Sequence, residues 1–278
     1  MERLEIKDVT KENIEDLFQI CTAPAKKDDP DWIKGGEEKK KWTVEMLQKW
    51  GPFAKLAYYD DIPVGMIQYK PIPEERIVYI DCICVPWDKY WRKGIATQLL
   101  SSLMENVKKP LSWFNDKRPL ALVTKTFPGG APGQYSAREF FRRKGFIQIG
   151  KDPDYLYYSL KAGFVYQPIK KKEPEYIPQK ADKGKVLIIC GPNGCPATYP
   201  YFLKRMEKYV REIDSKIPIQ WVDTSVEPEK AKKRNVNIGD CIVNAKHIKS
   251  FVLDKGNFQR EVRDASADLQ VAGTFPRQ

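Results

Sequence analysis

A β-prone run, a basic turn and the start of a helix follow one another in the stretch that decides the fold, Ile80-Asp81-Cys82-Ile83-Cys84-Val85-Pro86-Trp87-Asp88-Lys89-Tyr90-Trp91-Arg92-Lys93-Gly94-Ile95-Ala96-Thr97-Gln98-Leu99-Leu100. A helix N-terminus offers unpaired backbone N–H groups and the positive end of the helix dipole. Gly94 and Ala96 lack bulk, so an anion can approach this backbone, and Arg92 and Lys93 add positive charge. The stretch predicts an anion cradle suited to a pyrophosphate; the alternative is an ordinary helix start with surface charges.

The periodicity of apolar residues around this stretch predicts an α/β protein of two domains. The first domain, 1–163, is expected to contain a strand, two helices, three strands, a helix, a strand, a helix and two closing strands. Thr10 is expected to cap the first helix, and the second helix is expected over residues 37–50. A segment rich in proline and lysine, 164–183, predicts a linker. The second domain, 184–278, is expected to be an α/β sandwich in which residues 241–243 pair with 249–253.

Composition excludes several classes of function. The 278 residues contain a single histidine, His247, so histidine-rich zinc sites and H-E-x-x-H metalloproteases are impossible. The 48 basic and 37 acidic residues give a net charge of +11, but the two signs are mixed along the chain and no nucleic-acid-binding motif occurs. No apolar run approaches the ~20 residues that span a bilayer, and no signal peptide is evident. We therefore expect a cytoplasmic protein with neither a membrane nor a nucleic acid as partner; the oligomeric state stays open.

Two motifs carry a family resemblance. The segment 91–96 resembles the acetyl-CoA motif of the GNAT acyltransferases, [QR]-x-x-G-x-[GA], with Gly94 and Ala96 at its last two fixed positions and Trp91 in place of Gln or Arg. The segment 136–146 looks like the family signature A-x-x-[FL]-Y-x-x-x-G-F, in which Phe141 replaces the tyrosine that often protonates the departing thiolate.

This resemblance implies a GNAT fold, which is a mixed, mostly antiparallel sheet with flanking helices, and an acetyl-CoA-dependent N-acetyltransferase. The acetyl group would pass directly to a primary amine of a small molecule or peptide. Asp81 is the candidate base, although a strand-edge or capping carboxylate is an equal alternative, and Tyr135 is the candidate acid. The implied contacts with acetyl-CoA are Ile83, Cys84, Val85, Arg92, Lys93, Gly94, Ile95, Ala96, Thr97 and Phe141.

The thiols of Cys82 and Cys84 are expected on the opposite side of the strand from Asp81, unless a bulge intervenes. Packing in the core is the alternative for Phe141. The resemblance implies that the acceptor is chosen by the segment 24–51, where Asp28, Asp29 and Asp31 lie near Trp32, Trp42 and Trp50 and could hold a cationic amine. A solvated, partly packed surface is the favoured alternative for these residues.

Two cysteines mark the second domain. Cys190 and Cys195 lie between a predicted strand and a predicted helix, where a helix N-terminus lowers a thiol pKa, so they form a possible redox pair. Packed thiols are an equal alternative, and a zinc site with Cys241 and His247 is a weaker one. The domain resembles a degenerate thioredoxin-like module of the YoaP-like type. A CoA-binding thiol-redox or sensor protein without acyl transfer is therefore the alternative function.

Overall fold

The computed structural model describes residues 4–23, 28–127, 136–169 and 175–271, with side chains up to residue 267. These residues form two compact units. The first contains the described residues of 1–24 and 44–171, and the second those of 25–43 and 172–278. Residues 28–43 thus group with the second unit, whereas the prediction placed them in the first domain, 1–163.

The first unit is built on a seven-stranded sheet of β1 (Leu4–Asp8), β2 (Ala54–Tyr59), β3 (Ile62–Ile72), β4 (Ile77–Cys84), β5 (Ala121–Lys125), β6 (Ile147–Ile149) and β7 (Asp152–Ser159). The strands lie in the order β1-β2-β3-β4-β5-β7-β6. The β4–β5 pair is parallel and the other neighbouring pairs are antiparallel. The prediction of a mixed, mostly antiparallel sheet is confirmed.

Four helices accompany this sheet in the chain: α1 (Ile14–Thr22), α2 (Pro30–Trp50), α3 (Ile95–Val107) and α4 (Ala137–Arg143). Helix α3 buries its apolar stripe, including Leu99 and Leu103, against a core that contains Ile67, Tyr69 and Ile80. Each fully buried aliphatic side chain stabilises the fold by about 1.5–3 kcal/mol. This packing fixes the N-terminus of α3 beside the end of β4.

Two helices begin elsewhere than predicted. Helix α1 starts at Ile14, with Asn13 and not Thr10 as its N-cap residue. The Asn13 Oδ1 accepts a 2.8 Å hydrogen bond from the Thr10 backbone N, which lies before the helix. Helix α2 starts at Pro30, seven residues before the predicted 37. The Asp29 carboxylate accepts a 2.9 Å hydrogen bond from the backbone N of Asp31, which satisfies a donor of the first turn.

The second unit is built on a four-stranded sheet of β8 (Val186–Cys190), β9 (Ile219–Asp223), β10 (Cys241–Val243) and β11 (Lys246–Ile248) in the order β11-β10-β8-β9. Strands β8 and β9 are parallel, whereas β10 is antiparallel to both β8 and β11. A π-helical turn, Tyr199–Leu203, leads into α5 (Lys204–Ile213), and α6 (Pro228–Arg234) and α7 (Lys255–Val271) follow. The core contains Ile188 of β8, Val210 of α5 and Phe258 of α7.

The predicted hairpin of this unit was wrong in its second strand. Strand β10 pairs with Lys246–Ile248, not with residues 249–253. The two-residue turn consists of Asn244 and Ala245, which both have positive φ, 48° and 59°. Such a turn normally takes glycine at one of these positions, so the Asn-Gly pattern that marks a hairpin is missing here.

Both described ends of the predicted linker are packed. In the first unit the buried Tyr166 donates its hydroxyl proton to the Glu75 carboxylate. In the second unit Asp182 accepts hydrogen bonds from the Tyr176 hydroxyl at 2.7 Å and from the Arg234 guanidinium. None of the helices formed by the described residues is long and apolar enough to cross a membrane.

Candidate active site and cysteine loop

The candidate active site of the first unit lies where β4 and β5 separate. Their parallel pairing runs from Ile77 and Ala121 to Ile80 and Thr124, and the Thr124 hydroxyl donates a 3.0 Å hydrogen bond to the Ile80 carbonyl. Beyond this point β4 continues to Cys84, paired on its other side with β3. The described part of the chain places no strand on the freed edge, so backbone groups of residues 81–84 can pair there with an extended ligand.

A β-bulge interrupts β4 at Asp81. Gln68 of β3 pairs with Cys82, while the next residue, Tyr69, pairs with Ile80, so Asp81 is the extra residue. The bulge reverses the alternation that the sequence alone predicts. Asp81 lies on the same face of the sheet as Tyr79 and its partner Lys70, and the bulge brings the following Cys82 onto this face as well. The Asp81 Oδ1 accepts a 2.8 Å hydrogen bond from the Lys70 Nζ.

The two cysteines of β4 lie on the same face as Asp81. Cys82 pairs with Gln68 and Cys84 with Met66, on the side opposite the core formed with α3. These thiols are therefore not on the opposite side of the strand from Asp81, because a bulge intervenes, which was the stated exception to the prediction. Both cysteines are half-buried.

The basic turn and the first turn of α3 have the geometry that the predicted cradle requires. Gly94 is the N-cap residue, with φ +80°, and a Cβ added there would meet no atom within 4 Å. The first helical hydrogen bond runs from the Gln98 N to the Gly94 carbonyl at 3.0 Å, so the preceding N–H groups have no acceptor within the helix. The first turn contains no acidic residue, and Arg92 and Lys93 are exposed. Backbone donors, open space and positive charge therefore coincide at Gly94.

The turn before the cradle is held by aromatic side chains. The indole of Trp91 donates a 2.8 Å hydrogen bond to the Val85 carbonyl, which closes the turn onto the end of β4. The Lys93 Nζ lies over the rings of Tyr59 and Tyr90, at 4.6 and 5.6 Å from their centroids. Trp91 thus has a structural role where the motif has Gln or Arg, and the position of Tyr59 was not predictable because it comes from β2.

Gly65 of β3 is a second residue that the sequence did not reveal. A Cβ at this position would lie 3.0 Å from the Cys84 carbonyl oxygen, 3.1 Å from a Val85 methyl and 3.2 Å from an Ile95 methyl. The absence of a side chain lets the end of β4 and the start of α3 approach β3 closely. A glycine inside a strand was the only available signal.

The ion pair of Asp81 lies beside Tyr79. The Lys70 Nζ is 5.3 Å from the centroid of the Tyr79 ring. Burial, followed by the negative charge of Asp81, raises the pKa of Tyr79 to about 12. Tyr79 therefore stays protonated at neutral pH and can donate its hydroxyl proton in a hydrogen bond.

Helix α4 places Phe141 in the core. Only 2% of Phe141 is exposed, and its ring lies 5.2 Å from Phe140 and 4.9 Å from Phe146. The structure therefore gives Phe141 the packing role that was its alternative, and its contact with acetyl-CoA stays a prediction. Tyr135, the candidate acid, lies outside the described residues.

The cysteines of the second unit have different environments. Cys190 ends β8 and is buried, whereas Cys195 is exposed and precedes the helix. Burial, followed by the charge of Asp223, raises the pKa of Cys190 to about 11, so this thiol is protonated at neutral pH. Their pairing stays a prediction.

The helix α2 covers the loop between these cysteines. The buried Lys39 donates a 2.8 Å hydrogen bond to the Gly194 carbonyl, and the Trp32 ring meets Tyr201 edge to face at 5.6 Å. Of the segment considered for acceptor choice, Asp28, Asp29, Asp31, Trp32 and Trp42 thus belong to the second unit, whereas Trp50 belongs to the first. Among the described residues no group of three or more His, Cys, Asp or Glu could hold a metal ion, so the zinc alternative gains no support.

Comparison with protein families gives one match. Residues 12–118 match the model of the acetyltransferase (GNAT) family. The matched range contains β4, the cradle and α3, and it ends before α4. The match therefore supports a GNAT acetyltransferase domain in the N-terminal region of the chain.

Several solved structures are similar to the chain. An acetyltransferase of the GNAT family from Staphylococcus aureus Mu50 is 16% identical, with a TM-score of 0.42, over 57% of this chain and 100% of that chain. The PaiA N-acetyltransferase from Thermoplasma acidophilum, solved with coenzyme A, is 16% identical, with a TM-score of 0.40, over 56% and 97%. A GNAT acetyltransferase from Brucella melitensis, solved with acetyl-CoA, is 14% identical, with a TM-score of 0.39, over 59% and 93%. No curated protein matches the chain.

Proposed function

We propose that the chain, through its GNAT acetyltransferase domain, is an acetyl-CoA-dependent N-acetyltransferase that acts on a primary amine. One observation carries the proposal: the edge of β4 freed at Ile80 leads directly to the cradle at Gly94. A strand edge binds an extended pantetheine arm, and a helix N-terminus binds a pyrophosphate. Acetyl-CoA joins these two chemical parts in one molecule.

The residues at the cradle fit the anionic part of acetyl-CoA. Backbone N–H groups of Ile95, Ala96 and Thr97 would bind the pyrophosphate, with Arg92 and Lys93 adding charge. Gly94 fits because a side chain there would fill the open space and strain a backbone with φ +80°. Acetyl-CoA supplies an acetyl group activated as a thioester.

The residues at the freed edge of β4 would perform the remaining steps. A backbone N–H within residues 83–85 would donate to the thioester carbonyl and stabilise the negative charge that develops on its oxygen. Asp81 would accept the proton that the attacking amine loses. Tyr135 is the proposed donor of a proton to the departing thiolate. It is proposed because it precedes in sequence the segment 136–146, in which Phe141 stands where the family signature has a tyrosine.

The second unit is proposed to be a thioredoxin-like, YoaP-like module. Its strand order, β11-β10-β8-β9 with β8 and β9 parallel, supports this interpretation, as does the place of Cys195 just before a helix. The alternative function, a CoA-binding thiol-redox or sensor protein, rests on the exposure of Cys195. The proposal includes a cytoplasmic location, with neither a membrane nor a nucleic acid as partner.

The experiment that tests the proposal supplies acetyl-CoA with a panel of primary amines, comprising diamines, free amino acids and short peptides. Mass spectrometry of the amines and chromatography of released CoA give two independent readouts. We expect CoA release in equal amount to one acetylated amine. CoA binding without acetylation of any amine would favour the sensor alternative.

A further inference from the structure

Lys70 holds a primary amine at the point where β4 and β5 separate. Its Nζ lies 2.8 Å from the Asp81 Oδ1, and Asp81 directly follows Ile80, the last β4 residue paired with β5. The Lys70 side chain is 40% exposed and the Asp81 side chain 19% exposed, so the amine is accessible while its partner is largely covered. A carboxylate beside an amine holds the amine in place and can accept the proton that the amine must lose before it attacks a thioester.

We infer that Lys70 is an acetyl acceptor of its own domain, so that the chain modifies itself beside the candidate active site. The inference rests on the proposed function and adds one defined substrate, the ε-amine of a lysine. The face of the sheet matters here, because the opposite face is filled by the core packed on α3. The Lys70 amine lies on the other face, which it shares with Asp81, Cys82 and Cys84, the β4 residues beyond the last pair with β5.

The geometry favours Lys70 over the other paired lysines near the sheet. Lys55 is buried, with 5% of its side chain exposed, in a pair with Asp8 on β1. Lys125 ends β5, but its partner is Asp152 on β7, away from β4. Among these three lysines, only Lys70 is paired with a residue of β4 at the point where β4 leaves β5.

The reaction balances without a further reagent. The Lys70 ammonium loses one proton to Asp81 or to solvent, and the neutral Nζ attacks the thioester carbonyl. A C–N bond forms and the C–S bond breaks, and the thiolate that leaves takes up a proton to give CoA. The product is Nζ-acetyl-Lys70.

Acetylation would change the site itself. An acetylated Lys70 carries no charge, so its ion pair with Asp81 is lost. Asp81 could then pair with the ammonium group of a free substrate in the same place. Modification of Lys70 would therefore alter acceptor binding without any change to the cradle at Gly94.

The test incubates the whole chain with acetyl-CoA and maps acetylated lysines by peptide mass spectrometry. We expect acetylation at Lys70 at least about tenfold above that at Lys108, because a positioned amine reacts at a high effective concentration. Lys108 is the matched control, since it is paired with Glu105 near the far end of α3. The fraction of Lys70 acetylated per unit time should not depend on protein concentration, as expected of a reaction within one molecule.

Two variants and one binding measurement complete the test. Lys70→Arg keeps the charge opposite Asp81 and should lose the modification at position 70. Gly94→Glu, which should not bind acetyl-CoA, should reduce labelling of Lys70 to the level of Lys108. On the same sample, calorimetry measures acetyl-CoA binding and mass spectrometry measures acetylation of an added external amine. Acetylation of that amine while Lys70 stays unmodified overturns the inference and leaves the proposed function standing. Absence of acetyl-CoA binding overturns both.

Discussion

Gly35 of α2 lies directly against Pro196 in the second unit: a Cβ at Gly35 would come within 2.0 Å of the Pro196 carbonyl oxygen. Four residues further along α2, Lys39 donates its hydrogen bond to the Gly194 carbonyl. Residues four apart share one face of a helix, so a single face of α2 covers the loop that separates Cys190 from Cys195. This packing explains why residues 28–43 belong to the second unit.

The contact of Gly35 predicts an unusual outcome for a glycine in a helix. Gly35→Ala should destabilise the second unit by about 1–3 kcal/mol, because the clash is with backbone atoms that cannot rotate away. The neighbouring Gly36, with no atom within 4 Å of an added Cβ, is the matched control. Gly36→Ala should be neutral or stabilising by up to about 1 kcal/mol. Hydrogen exchange of β8 amides measures both effects, and equal protection in the two variants would contradict the packing.

The proposed role of Asp81 as proton acceptor predicts that its loss lowers turnover and leaves acetyl-CoA binding unchanged. Asp81→Asn removes the proton acceptor and should lower turnover by about 10²- to 10⁴-fold while acetyl-CoA affinity stays unchanged. Asp152→Asn is the control, since Asp152 is also paired with a lysine, Lys125, but lies on β7. Turnover by Asp81→Asn equal to that of the unmodified chain would assign the proton transfer to another group or to solvent.

The two environments of the second unit predict a difference in thiol reactivity. At pH 8 an alkylating reagent should modify the exposed Cys195 in the folded chain and leave Cys190 unmodified. Thiolates are the reactive form, and the pKa of Cys190, raised by burial to about 11, keeps that thiol protonated until the pH approaches this value. Labelling of Cys190 should therefore increase between pH 9 and about 11.

Mild oxidation then tests the predicted pair. A Cys190–Cys195 crosslink that a thiol reductant reverses would support a redox or sensing role for the second unit. Peptide mass mapping is the measurement. Cysteines that stay reduced would leave this unit as a structural or partner-binding module. In the alkylation experiment, labelling of Cys190 at pH 8 as fast as that of Cys195 would contradict the burial of Cys190.

Features that depend on neighbours in sequence were predictable. Gly94 and the apolar spacing from Ile95 onwards predicted the start of α3, because a helix start is determined by a few adjacent residues. Features that depend on pairing between distant strands were not. The bulge at Asp81 and its ion pair with Lys70 follow from the register of β3 and β4, which no local pattern specifies.

The start of helix α2 likewise depends on residues that are distant in the sequence. Gly35 and Gly36 in succession are unfavourable in a helix by propensity, and the predicted start at residue 37 lies just after them. The packing of Gly35 on Pro196, more than 150 residues away, requires a glycine at that position and outweighs its unfavourable propensity.

The most direct test of the account measures acetyl-CoA binding at the cradle by calorimetry, with Gly94→Ala and Gly94→Glu compared. Both variants place a side chain on a backbone with φ +80°, so they share the same strain, but only Gly94→Glu adds bulk and negative charge in front of the helix N-terminus. We predict that Gly94→Ala still binds acetyl-CoA, with reduced affinity, and that a folded Gly94→Glu does not bind it. Equal affinity of the unmodified chain and a folded Gly94→Glu would contradict the cradle and, with it, the proposed acetyltransferase.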